Sequence, residues 1–154
     1  MAIKVSEAYL ELLNKAIARE LAVAIQYMIQ HSKLMGQKKR VIPENILFEE
    51  TTFDIMANMF EEIAIQEMKH AEDIAERVFL LGGQATTKPD PITVGADIKE
   101  FLELGTKAEN EALVLYRQIL KEASQQGDYT TRSLFMSIYK TEEEHLVKFS
   151  EYLA

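Results

Sequence analysis

Apolar residues recur at helical spacing along almost the whole chain. In the first such stretch Leu10, Leu13, Ile17 and Leu21 fall on one face of a helix. The three prolines and five of the six glycines, residues that punctuate helices, lie between these stretches. The pattern therefore predicts four helices, at about residues 6–35, 44 or 48–81, 96–124 and 129–152.

The predicted connections are short, long and short. Gly36 ends the first predicted helix and a basic link with Pro43 follows, whereas the crossover at 84–95 contains two prolines and Gly127 marks the last turn. A long middle connection lets helices 2 and 3 run parallel. We therefore expect an all-α four-helix bundle with a long crossover between helices 2 and 3, forming a single domain over residues 1–154. The second helix is long enough that a break near Thr51 is expected.

Composition narrows the function. A net charge of −8 argues against nucleic acid and anionic membranes as partners. The absence of cysteine excludes disulfides, Fe–S clusters and thiolate metal sites. The N-terminus does not resemble a signal peptide, and no apolar run is long enough to span a membrane. We expect a cytoplasmic protein in which oxygen and nitrogen atoms hold any metal.

The sequence Glu-x-x-His occurs twice, as Glu67–His70 and as Glu142–His145. Residues i and i+3 share one helix face, so each copy presents a carboxylate and an imidazole in the same direction. A single copy is usually a solvated pair on a helix surface. Two copies on different predicted helices indicate a shared site.

Two further carboxylates, Glu20 and Glu109, stand alone within apolar helical stripes. Burying unpaired carboxylates is costly, and four together would repel one another unless cations lay between them. One Glu from each of two helices and Glu-x-x-His from each of the other two is the ligand set of dinuclear carboxylate sites in bundles. These donors suit iron, manganese or zinc.

An internal repeat relates the two halves of the chain. When Glu20 is aligned with Glu109, each half has a Tyr seven residues later, Tyr27 or Tyr116, and Glu-x-x-His on the next helix. Either tyrosine is placed to hydrogen-bond a ligand carboxylate or to serve as a core aromatic. His31 has no acidic partner at ligand spacing and is interpreted as a surface or capping residue.

At these residues the chain resembles the bacterioferritins of the ferritin-like superfamily. The resemblance covers most of the chain and is carried by Glu20–Tyr27, Glu67–Ala71, Phe79–Gly83 and the stretch from Glu109 to His145. It implies that His70 and His145 each bind one iron, that Glu20 and Glu109 are carboxylate ligands, and that Glu67 and Glu142 bridge. It also implies Fe(II) and O2 or H2O2 as reactants, and a homodimer or larger homo-oligomer.

Met68 matches the position at which bacterioferritins place a methionine that ligates haem across a dimer interface. It faces away from Glu67 on the helix, which suits either an interface or simple packing. The segment between Tyr27 and Glu67 is longer than in the family, and its excess, at about 37–54, is expected to form an extra turn or a small helix. Haem is therefore not expected.

The chain ends nine residues after His145, where bacterioferritins carry a fifth helix, so a dimer or a different assembly is favoured over a 24-subunit storage shell. Rubrerythrins are the nearest alternative, but Ala112 stands where they place a further carboxylate, and their cysteine-rich iron domain is absent. We predict a ferroxidase-type protein that serves iron homeostasis or protection from oxidants. A rubrerythrin-like peroxidase, a non-catalytic metal-binding bundle and a small-molecule oxidase are the alternatives.

Overall fold

The computed structural model describes residues 3–154, and these contain helices and no strand. The elements are α1 (Glu7–Val41), a short 3-10 helix (Glu44–Ile46), α2 (Thr52–Leu80), α3 (Ile98–Gln125) and α4 (Tyr129–Leu153). No helix in this described part is long and apolar enough to cross a membrane.

Polar side chains define where the four long helices begin. Ser6, Asp97 and Asp128 each accept a hydrogen bond from a backbone N–H of the first turn of their helix. Thr51 and Asp54 form a reciprocal capping box at the start of α2. Because each cap satisfies N–H groups that lack a partner within the helix, it fixes the position from which the helix presents its later residues.

Two predicted boundaries are wrong. The first helix does not stop at Gly36 but continues to Val41, and the second begins at Thr52 rather than at Glu44 or Phe48. The ammonium of Lys38, two residues beyond Gly36, contacts both carboxylate oxygens of Asp54 at 2.9 and 2.7 Å. This ion pair joins the end of α1 to the start of α2 and offsets the roughly 1 kcal/mol that a glycine costs inside a helix. The expected small helix in the longer segment is the 3-10 turn, and the expected break near Thr51 is present.

Contacts near the helix ends define the helix directions. The Tyr9 hydroxyl, near the start of α1, donates to Asp128 at the start of α4, so α1 and α4 run parallel. Arg77, near the end of α2, donates to the same Asp128, so α2 and α4 are antiparallel. Gln30, in the second half of α1, bonds to the Val94 carbonyl just before α3. Helices α2 and α3 are therefore parallel, and the predicted bundle is confirmed.

The crossover between α2 and α3 lies along α1. Asn14 donates to the Gln84 carbonyl near one end of the crossover, and Gln30 donates to the Val94 carbonyl near the other. Each of these side chains satisfies a carbonyl that an irregular segment leaves unpaired. The crossover thus lies beside the part of α1 between Asn14 and Gln30.

The core consists of two apolar clusters. One contains Leu13, Tyr116 and Phe135, and the other contains Phe60 and Phe149. On every helix the predicted metal ligands lie in sequence between residues of the first cluster and residues of the second. The polar site therefore lies in the middle of the bundle, with packed apolar layers on both sides.

Candidate metal centre

All six predicted ligands come together inside the bundle. We call them the carboxylate–histidine cluster: Glu20, Glu67, His70, Glu109, Glu142 and His145. The four carboxylates are 0% exposed, and the two imidazoles are at most 9% exposed. Two overlapping groups of four place one ligand atom from each residue within 4.8 Å of the others: Glu20, Glu67, His70 and Glu142, and Glu67, Glu109, Glu142 and His145.

The two Glu-x-x-His glutamates belong to both groups. Glu67 directs Oε2 to His70 Nδ1 at 3.0 Å and Oε1 to His145 Nδ1 at 3.4 Å. Glu142 does the converse, with Oε2 3.1 Å from His145 Nδ1 and Oε1 3.4 Å from His70 Nδ1. The imidazole rings themselves are 6.4 Å apart between centroids. Each of these carboxylates thus spans the space between two imidazoles.

The two tyrosines bond across the repeat. Tyr27 of α1 donates to Glu109 Oε1 of α3 at 2.6 Å, and Tyr116 of α3 donates to Glu20 Oε1 of α1. Both rings are fully buried, so each tyrosine is at once a hydrogen-bond donor to a carboxylate and a core aromatic. The hydroxyls hold the outer carboxylates and the rings pack in the core.

A buried arginine, not identified from the sequence, also enters the cluster. The Arg19 guanidinium is 3.1 Å from Glu109 Oε2, 3.3 Å from Glu142 Oε1 and 3.2 Å from Glu20 Oε1. It also donates to the Tyr116 hydroxyl. A signal was available, because Arg19 continues a line of buried apolar positions, and a lone charge in such a line needs a partner.

Gln66 is a second residue that sequence reasoning missed. Its side-chain oxygen is 2.5 Å from His145 Nε2, so the ring is held on the side opposite its Nδ1. Such an outer contact fixes the tautomer and orientation of a metal-binding imidazole. Gln66 is exposed on α2, and its position in the sequence pattern carried no signal.

Burial and mutual charge separate the protonation of the four carboxyl groups. Burial, followed by repulsion from Glu67 and Glu142, raises the pKa of Glu20 and of Glu109. Burial also acts on Glu67 and Glu142, but hydrogen bonds from the imidazoles, and Arg19 in the case of Glu142, lower the pKa of both. The pKa values of the two shared carboxyl groups and of the two outer ones are thus shifted in opposite directions.

Both imidazoles are protonated more readily than an ordinary histidine. Burial lowers the pKa of His70, but hydrogen bonds with Glu142, Glu20 and Glu67 outweigh it and raise the pKa to about 12. The pKa of His145 is raised for the same reason by Glu142 and Glu67. In the metal-free protein these protons partly balance the carboxylate charge.

The donor set fits two divalent cations. Glu20 Oε2 is buried and has no hydrogen-bond partner among residues 3–154. Carboxylate oxygens and imidazole nitrogens are ligands that iron, manganese and zinc accept. Each four-residue group contains three carboxylates and one imidazole, which is enough to hold one such ion.

Acidic and histidine residues close to the ligands in the sequence lie outside the cluster. Three glutamates that lie close to the ligands in the sequence, Glu111, Glu143 and Glu144, are exposed. The side chain of His31, interpreted from the sequence as a surface or capping residue, is 23% exposed. Its Nδ1 lies 2.7 Å from the Ala57 carbonyl, and its Nε2 lies 3.3 Å from Glu61. The acidic partner comes from α2, which spacing along α1 does not reveal.

Met68 points outward from α2 and is 48% exposed. It lines an apolar groove of about 370 Å³ between α1 and α2, which we call the Met68 groove: Ala24, Ile25, Met28, His31, Glu61, Ala64, Ile65 and Met68. The predicted orientation of Met68, away from Glu67, is therefore present.

Comparison with known proteins agrees with this architecture. Residues 45–154 match the family model of the ferritin-like domain. The bacterioferritin of Desulfovibrio desulfuricans is 36% identical over 138 residues, which are 89% of this chain and 69% of that protein. The bacterioferritin of Rhodobacter capsulatus is 31% identical over 89% of this chain and 77% of its own length.

Solved structures give the same result. A D. desulfuricans bacterioferritin structure, which shows the diiron site in different catalytic states, matches with a TM-score of 0.80 at 33% identity, over 94% of this chain and 77% of that one. An R. capsulatus bacterioferritin, with a metal-free dinuclear site and a haem iron, matches with a TM-score of 0.79 at 29% identity, over 96% of this chain and 84% of that one. The chain therefore belongs to the ferritin-like family, and the bacterioferritins are among its relatives.

Proposed function

We propose that this chain is a ferroxidase-type di-iron protein that binds two irons and oxidises Fe(II) with O2 or H2O2. The observation that carries the proposal is the pair of overlapping four-residue groups that share Glu67 and Glu142. Two iron ions held by shared carboxylates would be close enough to deliver one electron each to the same oxidant molecule. Oxidation of two Fe(II) ions releases two electrons, which with two protons reduce O2 to H2O2, or H2O2 to two waters.

The contacts support a division of the six ligands between two metal ions. His70 and Glu20 would hold one ion, His145 and Glu109 the other, and Glu67 and Glu142 would bridge them. The imidazole Nδ1 atoms face the shared carboxylates and must lose their protons before they bind a cation. The hydroxyls of Tyr27 and Tyr116 would keep Glu109 and Glu20 in place while the bridging carboxylates change their mode of binding.

The experiment is anaerobic Fe(II) titration of metal-free protein, followed by exposure to O2 or to H2O2. We expect saturation at two irons per chain and rapid oxidation. Glu67→Ala and Glu142→Ala should each abolish dinuclear binding, whereas Glu143→Ala, one residue along the same motif, should leave it intact. If both ligand variants still bound two irons, the assignment would be wrong.

Non-catalytic retention of metal is the second candidate function. The donor set supports it, because carboxylate oxygens and imidazole nitrogens also hold zinc, which has no redox chemistry. The oxidant step of the same titration separates the two candidates, since a scaffold would bind metal and show no oxidation.

The proposal extends to domain organisation, location and assembly. We expect one domain over residues 1–154, a cytoplasmic location and a homo-oligomer in which the Met68 groove is covered by a second copy. The R. capsulatus relative holds a haem iron, but the longer segment at about 37–54 still leads us not to expect haem here. Haem titration followed by absorbance, with Met68→Leu as the control, tests this expectation.

A further inference from the structure

Arg19 brings a permanent positive charge to the carboxylates of the carboxylate–histidine cluster. Its guanidinium contacts Glu20, Glu109 and Glu142, which come from three different helices. Glu142 is shared by both four-residue groups, and Glu20 and Glu109 each belong to one. The charge therefore lies beside both proposed metal positions.

The guanidinium is held in this place by more than charge. It also donates to the Ala108 carbonyl at 3.2 Å and to the Tyr116 hydroxyl at 3.3 Å, and the residue is only 9% exposed. Movement out of the cluster would remove one donor from each of these acceptors and from three buried carboxylates, which is costly. Arg19 is thus part of the cluster rather than a transient neighbour.

The bundle does not require an arginine at this point. In the internal repeat Arg19 aligns with Ala108, and α3 carries its ligand Glu109 without a preceding charge. The arginine is therefore an addition to one half of the site. Its effect on the site is electrostatic, because four carboxylates already match the charge of two divalent cations.

We infer that Arg19 is a resident counter-charge: it stabilises the metal-free cluster and weakens the binding of divalent cations to it. The inference rests on the proposed function, because it assumes that the cluster binds two metal ions. It predicts a centre that loads at a higher free metal concentration than the same ligands would need alone. Arg19 is a positioning residue for the carboxylates rather than a metal ligand.

The test compares the native protein with Arg19→Met, Arg19→Gln and Arg19→Lys. Anaerobic Co(II) binding is followed by calorimetry and by visible absorption, and thermal unfolding is measured without metal. Loss of a unit charge next to the ions should tighten Co(II) binding at least about tenfold in the neutral variants. Arg19→Lys, which keeps the charge, should bind within roughly threefold of the native protein. The neutral variants should unfold at a lower temperature when metal-free.

Arg77→Met is the matched control. Arg77 is a partly buried arginine paired with a carboxylate, Asp128, and this pair lies about 20 Å along α4 from Glu142. Its loss should lower the unfolding temperature with and without Co(II), and leave the affinity unchanged.

Each result decides between the two proposals. If the native protein binds two Co(II) and the neutral variants bind no more tightly, the inference is wrong and the proposed function stands. The same holds if Arg19→Lys tightens binding as much as Arg19→Met. If only the neutral variants bind metal, the inference stands and the proposed function of the native chain fails. If no protein binds Co(II), both are refuted.

Discussion

Gly105 of α3 lies in close contact with Phe149 of α4, beside the proposed metal centre. A Cβ added there would lie 2.8 Å from Phe149 Cε2 and 2.9 Å from Cδ2. Phe149 is fully buried, and its ring packs against Tyr27 and Phe60 at centroid distances of 5.4 and 5.6 Å. The ring therefore has no free space into which to move, and Gly105→Ala must push the helices apart.

The size of the effect follows from these distances. The nearest ring atom must recede by about 0.6 Å to reach an ordinary contact of 3.4 Å. Overpacking of this kind costs about 1–3 kcal/mol, or roughly 2–12 °C in the unfolding temperature of a chain of this size. Gly105 lies one turn before Glu109, and Phe149 lies one turn after His145. Since a metal centre tolerates misplacement of only about 0.5 Å, the ion between Glu109 and His145 should also bind more weakly.

Urea unfolding of metal-free protein and Co(II) titration measure the two effects. Gly36→Ala is the control, because Gly36 lies within α1 with nothing within 4 Å of the added Cβ, and it should stabilise the protein by about 1 kcal/mol. Phe149→Leu should relieve the clash, so the double variant with Gly105→Ala should be more stable than the sum of the single effects allows. An unfolding free energy unchanged by Gly105→Ala, or strictly additive effects, would refute this account.

Three further predictions concern the surroundings of the cluster. Tyr27→Phe removes the donor to Glu109 and should lower the unfolding free energy by about 1–3 kcal/mol, and an unchanged urea midpoint would contradict this. The pKa of His70 is raised from 6.5 to about 12, so its contribution to metal-free stability is complete below pH 6.5 and is lost as the pH rises toward 12. The unfolding temperature of the metal-free protein should therefore fall above pH 6.5, and thermal unfolding measured across this range would show its absence. Co(II) uptake should release protons, and titration calorimetry in buffers of different ionisation enthalpy would show the absence of that release. Gln66→Ala frees His145 Nε2 and should weaken Co(II) binding about 10–100-fold with little change in stability, whereas an equal loss of both would indicate a structural role.

The sequence was sufficient to predict the bundle and the residues that meet at its centre. Helical periodicity is a local property, and a carboxylate such as Glu20 inside an apolar stripe is visible without knowledge of its partners. The boundary errors arose where a distant contact decides the outcome. Lys38 and Asp54 are 16 residues apart, and their ion pair carries α1 past Gly36. The two residues lie on either side of the link between α1 and α2, so the periodicity of one helix does not pair them.

The residues around the ligands were harder to predict than the ligands themselves. A metal ligand is constrained by chemistry to a few residue types at fixed spacing, so a motif reveals it. A residue that acts on a ligand needs only to reach it, as Arg19 reaches Glu109 from another helix and Gln66 reaches His145. Such contacts depend on helix packing and rotamers, which spacing along one helix does not specify.

The internal repeat accounts for the ligands but not for their neighbours, and this difference bears on how the two halves of the site can differ. The tyrosine contacts follow the repeat, with each half holding the outer carboxylate of the other. Gln66, immediately before Glu67, contacts His145, whereas Thr141, at the equivalent place before Glu142, bonds to the Ser137 carbonyl of its own helix. Gln66 of the first half thus contacts the imidazole of the second half, whereas Thr141 of the second half bonds within its own helix. A duplicated helical hairpin is sufficient to build a symmetric dinuclear site, and single substitutions beside its ligands are sufficient to make the two metal positions chemically distinct.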